Sequence, residues 1–153
     1  TWEMDSYRLV YSFNDILDFW KLFNNINAFH LGMSFIMKKG ILPIYEDKEN
    51  IDGGVWSFRI LRKDLMQVWL DLNLGLIGET LSDNIDEING ISINPKNCVI
   101  KIWMKKWFSI FQNSTMRLAK YKRFVWNIVV QFFGMSGIIS AYTKYFHINL
   151  MKC

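Results

Sequence analysis

Two alternating runs, Ile88 to Asn94 and Val99 to Lys105, are separated by only Pro95-Lys96-Asn97-Cys98. Period-two alternation puts successive side chains on opposite faces of a strand, and so short a connector allows only an antiparallel hairpin. A hairpin of this kind commits the chain to an antiparallel sheet. In the later run Ile100, Ile102 and Met104 share one face, and Val99, Lys101, Trp103 and Lys105 share the other. The first is a core face. On the second, a tryptophan with a lysine two residues to either side is unlike a core face and suits an aromatic platform beside phosphates. Asn89-Gly90 invites a turn, but Ile91 and Ile93 alternate past it, so the strand is expected to run through.

Other segments extend the sheet. Val55 to Leu61 alternates, with Trp56, Phe58 and Ile60 opposite Ser57 and Arg59. Tyr7 to Phe13 also alternates and predicts a strand with Tyr7, Leu9, Tyr11 and Phe13 on its buried face. Val125 to Phe133 is β-branched and aromatic and predicts a buried strand; a loop over 134–144 and a short strand Tyr145 to Leu150 follow. Ala28 to Met37 is apolar but hard to assign, with a short strand ending before Lys38-Lys39-Gly40 as one reading.

Three helices are expected. Asn14 N-caps the first, with Asp15 and Asp18 in its opening turn, and it runs to about Asn25. The second covers Asp64 to Ile77 with Leu65, Val68, Trp69, Leu72 and Leu76 as its core stripe, and Gly78 stops it. The third covers Trp107 to about Arg123. The apolar residues of the first helix, Ile16, Leu17, Phe19, Trp20 and Phe23, spread over more than one face, and the second carries Leu70 and Leu74 beside Asp71 off its core stripe. That surplus calls for another contact. The expected class is α+β, an antiparallel sheet with helices packed on one face, in one domain spanning 1–153.

All fourteen acids lie at or before Glu87, against eight basic residues there; from Ile88 on there are ten basic residues and no acid. Such asymmetry fits a basic surface facing a polyanion, and equally a solvated basic face. Cys98 and Cys153, with His30 and His147 far apart, make neither a disulfide framework nor a metal spacing, so no metal or cofactor is expected. Two cysteines suit a reducing compartment. No apolar run approaches the roughly 18 residues of a membrane span. Nothing in the chain resembles a glycine-rich phosphate loop or a triad, and Glu46 and Asp47, adjacent in sequence, make a poor acid–base pair. A binding module is expected rather than an enzyme.

The stretch Pro43 to Trp56 opens with a proline, sets Tyr45 directly before Glu46 and Asp47, and closes with Gly53-Gly54. An aromatic beside a carboxylate on a loop suits a flat, cationic or donor-bearing ligand, the ring stacking and the acid accepting from its edge. An ordinary polar surface loop has the same composition.

Several motifs in order carry a resemblance: Ile16-Leu17-Asp18-Phe19-Trp20-Lys21-Leu22-Phe23-Asn24, Lys39-Gly40-Ile41-Leu42-Pro43-Ile44-Tyr45-Glu46-Asp47, Gly53-Gly54-Val55-Trp56, Trp69-Leu70-Asp71 with Leu76-Ile77-Gly78-Glu79, and Lys101-Ile102-Trp103. The chain resembles the eukaryotic translation initiation factor 4E family, messenger-RNA cap-binding proteins, over Trp2 to about Trp103 and more weakly beyond. The resemblance implies a curved antiparallel sheet with three helices on its convex face and a slot for 7-methylguanosine on its concave face. Trp2 and Tyr45 fall where the family has its two stacking rings, Glu46 where it has the acid reading the guanine edge, and Trp103 where it has the tryptophan beside the methyl group. Lys96 aligns with the arginine that holds the phosphates. Tyr45 replaces a tryptophan common at its position, the loop at Pro95-Lys96-Asn97 looks shortened, and Val99 occupies a family lysine position. Lys101, on the face of Trp103, is the expected substitute phosphate contact. The family's usual segment upstream of Trp2 is expected to be missing from these residues.

The resemblance also accounts for the surplus apolar surface. Ile16, Trp20, Leu70, Asp71 and Leu74 match a site for a helical peptide with a Tyr-x-x-x-x-Leu-apolar motif, borne by the scaffold factor 4G and by repressors that mimic it. The implied function is cap binding and scaffold recruitment in translation initiation. The alternative is a divergent homologue that sequesters caps or partner peptides and represses translation. The implied location is the cytoplasm, with the nucleus second.

Overall fold

The computed structural model describes residues 7–25, 29, 32–106 and 125–132, the last stretch by its backbone alone. Their elements run α1 (Ile16–Asn25), β1 (Ser34–Met37), β2 (Gly54–Ile60), α2 (Leu65–Ile77), β3 (Ile88–Asn94), β4 (Val99–Met104) and β5 (Val125–Phe132). The strands form one curved antiparallel sheet in the order β1-β3-β4-β2-β5. The expected α+β class therefore holds. The expected third helix over 107–123, the loop over 134–144 and the strand over 145–150 lie outside the described residues.

The predicted hairpin forms β3 and β4, with Ile91 opposite Ile102 and Ile93 opposite Ile100. The strand continues through Asn89-Gly90, with a bulge between Ile88 and Gly90. Gly90 is required there. A Cβ on it would stand 2.5 Å from the Ile36 carbonyl oxygen and 2.8 Å from Met37 Cα on the neighbouring strand. In the hairpin turn Cys98 takes a left-handed φ of 54°, and the Asn94 side chain accepts from the Asn97 amide at 3.2 Å.

One face of the sheet and one side of each helix make the core. Phe58, Ile60, Ile91, Ile93, Ile100, Ile102 and Met104 pack with Phe19 of α1 and with Leu65, Val68, Trp69, Leu72 and Leu76 of α2. That is the predicted stripe of the second helix. Each such side chain stabilises the fold by about 1.5–3 kcal/mol through burial. The rings of Phe23, Phe29 and Trp69 follow one another at 5.5 and 5.9 Å and tie α1 to α2.

Two local expectations are corrected and a third is refined. Residues 7–13 form no strand. Leu9 and Tyr11 lie exposed and only Tyr7 and Phe13 turn inward, Tyr7 edge-on against Phe35 at 5.5 Å and Phe13 against Phe19 at 5.7 Å. Alternation prepares a strand, but a strand also needs a backbone partner. The cap of α1 is Asp15 rather than Asn14, since its carboxylate accepts from the Asp18 amide at 2.8 Å. At the end of α2, Gly78 keeps an ordinary φ of −81° and Glu79 takes the left-handed turn at φ 55°. The helix nevertheless ends at Ile77 with Gly78 as its C-cap, as expected, and the Gly78 amide donates to the Leu74 carbonyl at 2.9 Å.

Candidate functional site

The loop between β1 and β2 is built by two side chains that bind backbone. Asp47 accepts from the amides of Leu42 at 3.0 Å and Glu49 at 2.9 Å, closing the loop on itself. Asn50, only 1% exposed, donates to the carbonyls of Leu42 at 2.9 Å and Ile44 at 2.7 Å. Its side-chain oxygen accepts from Asn89 at 2.9 Å, and Asn89 also donates to the Glu49 carbonyl at 2.6 Å. The bulge in β3 thus turns Asn89 toward the loop and fastens it to the sheet. Lys105 adds an ion pair to Glu49 at 2.8 Å, which holds the Glu49 carboxyl below its ordinary pKa and the Lys105 amine above its own. The loop re-enters the sheet through Gly53, where a Cβ would run into the Met104 carbonyl oxygen.

So fastened, the loop sets Tyr45 over Trp103, ring centres 5.1 Å apart and planes at 28°. Lys101 donates to the Tyr45 hydroxyl at 3.3 Å. Trp103 donates its indole N–H to the Ser92 hydroxyl at 3.0 Å, across the β3–β4 pair. Phe35 meets Trp103 edge-on at 6.3 Å, and Tyr7 meets Phe35. Four rings, Tyr7, Phe35, Trp103 and Tyr45, therefore line the sheet face opposite the helices.

Trp103 is not the open platform its flanking lysines suggested. It is 3% exposed, covered by Tyr45 and Phe35. The lysine on its strand face bonds to the ring above it, so a buried tryptophan and flanking charges coexist. A base between Tyr45 and Trp103 would need two contacts of about 3.5–4.0 Å, hence roughly 7–8 Å between the rings. At 5.1 Å the pair leaves no such gap. Trp103 is the floor beneath Tyr45, which is 41% exposed.

Glu46 follows Tyr45 on the same loop and is exposed. Burial raises the Tyr7 phenol above its ordinary pKa, and the nearby Tyr45 and Glu46 raise it further. Tyr7 therefore belongs to this site. Trp2 lies outside the described residues. Lys101 joins the site. Lys96 does not: it sits in the β3–β4 turn, and Val99 alone is four strand residues of about 3.3 Å each from Trp103. Sequence reasoning missed Asn50, Asn89, Ser92, Phe35 and Tyr7. A polar loop residue and an Asn-Gly pair look like surface chemistry, and nothing local reveals that two asparagines meet across 39 positions.

On the helical side, Ile16 is exposed and Trp20 half-buried, its ring against Phe19 and Phe23 at 5.9 and 6.3 Å. Leu70 and Leu74 are half-buried and pack partly on the core. Asp71 accepts from Gln67 at 2.8 Å. Among the described residues no group of acids, histidines and cysteines could hold a metal ion, and no helix is long and apolar enough to cross a membrane.

The domain is a curved antiparallel sheet with helices behind it and, in front, an aromatic site edged by an exposed acid. The family model for eukaryotic initiation factor 4E matches residues 1–131, and the chain belongs to that family. It is 35% identical over 113 residues to initiation factor 4E-1A of Danio rerio, covering 67% of this chain and 52% of the relative. It is 38% identical over 112 residues to factor 4E1 of Drosophila melanogaster, covering 67% and 42%. The chain thus spans about half the length of the curated relatives it matches. Among solved structures it is similar to Caenorhabditis elegans eIF4E-3 in complex with the 4E-binding protein Mextli and a cap analog, at 30% identity and a TM-score of 0.59, covering 65% of this chain and 61% of that one. A schistosome eIF4E complexed with m7GpppG and 4E-BP has a TM-score of 0.69, covers 80% and 73%, and at 22% identity shows the shared fold.

Proposed function

We propose that this chain binds the 7-methylguanosine cap of messenger RNA on its concave face and engages a scaffold factor or repressor peptide on its helical face, in translation initiation. The observation that carries the reading is the loop pinned by Asn50 and Asn89, which holds Tyr45 over Trp103 with Glu46 next in the chain. Methylation makes guanine cationic, so an electron-rich ring attracts it more than an unmethylated base. Guanine presents two adjacent donors on one edge, and the Glu46 carboxylate accepts both. Trp103 floors the site near the methyl group, and Trp2 is the second stacking ring. Lys101 supplies a phosphate contact, with Lys96 further out.

Ile16, Trp20, Leu70, Asp71 and Leu74 receive a helical peptide with a Tyr-x-x-x-x-Leu-apolar motif, from a scaffold of the factor 4G type or a repressor. The family's proteins are initiation factors, and binding is this domain's task with no covalent step. It works in the cytoplasm.

The test is Glu46→Gln. Losing a charge-assisted pair costs about 1.5–3 kcal/mol per bond, so affinity for 7-methyl-GTP falls by tenfold or more in a tryptophan-quenching titration. Unchanged affinity contradicts the role given to Glu46.

A further inference from the structure

Lys101, Trp103 and Tyr45 close a triangle on the sheet face opposite the helices. Lys101 and Trp103 stand two residues apart on β4 and point to the same side. Tyr45 lies over Trp103 with ring centres 5.1 Å apart, and its hydroxyl accepts from the Lys101 amine at 3.3 Å. The floor of the triangle is fixed, since Trp103 is buried and donates its indole N–H to Ser92. Register pairs Lys101 with Ser92 on β3 and with Ser57 on β2. Paired residues of an antiparallel ladder share a face. The neighbours of Lys101 on that face are therefore Ser92, Ser57, Val99 and Trp103, and none carries a charge. Among the described residues no carboxylate forms an ion pair with Lys101, although Glu46 follows Tyr45 in the chain. The amine is thus held at the edge of the ring by a hydroxyl oxygen. One of its three N–H donors serves Tyr45, and two remain for a ligand.

We propose that the Tyr45 hydroxyl is a positioning group: it holds the Lys101 amine at the edge of the stacking ring, ready for the first phosphate of a nucleotide whose base lies on that ring. This rests on the cap-binding reading and gives Tyr45 a second task within it. A free lysine side chain loses rotamer freedom when it meets a phosphate. Lys101 has lost it already in the folded chain. One sugar separates a base from its first phosphate, and one hydroxyl and one hydrogen bond separate the ring from the amine. The residue type matters as much as the place. Tyrosine offers an acceptor at the edge of its ring, phenylalanine offers none, and tryptophan offers an N–H donor only. The tryptophan that the resemblance puts at position 45 could not hold a lysine in this way, so the tyrosine and the lysine act as a unit. A carboxylate in place of the hydroxyl would neutralise the charge that a phosphate needs for a charge-assisted bond.

The test titrates the full chain with 7-methylguanosine and with 7-methyl-GTP from about 50 to 200 mM salt. The ratio of the two affinities isolates the phosphates from the stacked base. Both affinities come from the same variant, so any loss of folded protein cancels in the ratio. Tyr45→Phe lowers the ratio about two- to fivefold, as loss of one pre-ordered side chain does. It leaves the salt dependence of 7-methyl-GTP binding unaltered, because no charge is removed. Tyr45→Trp lowers the ratio equally, although the larger ring stacks a cationic base at least as well. Lys101→Met lowers the ratio and also flattens the salt slope by about 0.7, the share of one phosphate. In the Lys101→Met background, Tyr45→Phe has no further effect on the ratio. A ratio in Tyr45→Phe equal to that of the wild type overturns the positioning role while cap binding stands, and so do losses that multiply in the double variant. Failure of the wild-type chain to bind either ligand overturns the cap-binding reading and this role with it.

Discussion

Asn50 holds the loop that carries Tyr45 and Glu46, so Asn50→Ala separates loop placement from ring chemistry. The substitution removes two donors, to Leu42 and Ile44, and the acceptor of Asn89. Each bond contributes about 1 kcal/mol net, so the variant loses about 3 kcal/mol. For a domain of this size that lowers the unfolding midpoint by roughly 6–12 °C. Asn89→Ala loses its bonds to Glu49 and Asn50 and costs about 2 kcal/mol. Because the two share one bond, the double variant falls short of the sum by about 1 kcal/mol. Urea unfolding of the wild type, both single variants and the pair measures all these quantities. Affinity for 7-methyl-GTP should fall in Asn50→Ala although no ligand-facing side chain has changed. A destabilisation below about 0.5 kcal/mol, or strict additivity across the cycle, would refute the account of how the loop is held.

Three further outcomes are expected. Gly90→Ala forces a methyl against the Ile36 carbonyl and Met37 backbone, and overpacking of that kind costs about 1–3 kcal/mol; an unchanged urea midpoint contradicts it. The raised Tyr7 pKa means that the folded chain holds the phenolic proton more tightly than the unfolded chain does. That stability is fully present below the unfolded Tyr pKa and is lost as pH rises through the folded one. Tyr7→Phe should flatten the alkaline fall in stability above about pH 10, and an unaltered pH profile counts against the assignment. Trp20→Ala should weaken a Tyr-x-x-x-x-Leu-apolar peptide at least tenfold by calorimetry, as removal of a tryptophan anchor does, with 7-methyl-GTP affinity unchanged; retained peptide binding places the partner elsewhere.

Much of the fold was legible because it is local. The β3–β4 hairpin follows from alternation and a short connector, and the buried face of α2 from helical spacing. What failed depended on distant partners. Residues 7–13 alternate as a strand does, yet no strand forms there, and strand pairing is not a local property. The site divides the same way. Tyr45 and Glu46 were visible as residue types that suit a flat cationic ligand, Trp103 as an aromatic between lysines that suits phosphates, and Lys101 was placed from its strand face. The burial of Trp103 was hidden, because its flanking lysines describe the strand while Tyr45 and Phe35 cover it from elsewhere. The asparagine pair beneath the loop was hidden for a related reason. Each asparagine is ordinary in its own neighbourhood, and only the β3 bulge brings them together.

The central claim is tested most directly by titrating tryptophan fluorescence of the wild-type chain with 7-methyl-GTP and with GTP under identical salt. The two ligands share phosphates and base edge and differ in the methyl group and its positive charge. Stacking on Tyr45 predicts quenching by 7-methyl-GTP with at least tenfold tighter binding than GTP, consistent with a cation–aromatic contact of about 2 kcal/mol when desolvated. Equal quenching by both ligands, or none by either, would contradict the account.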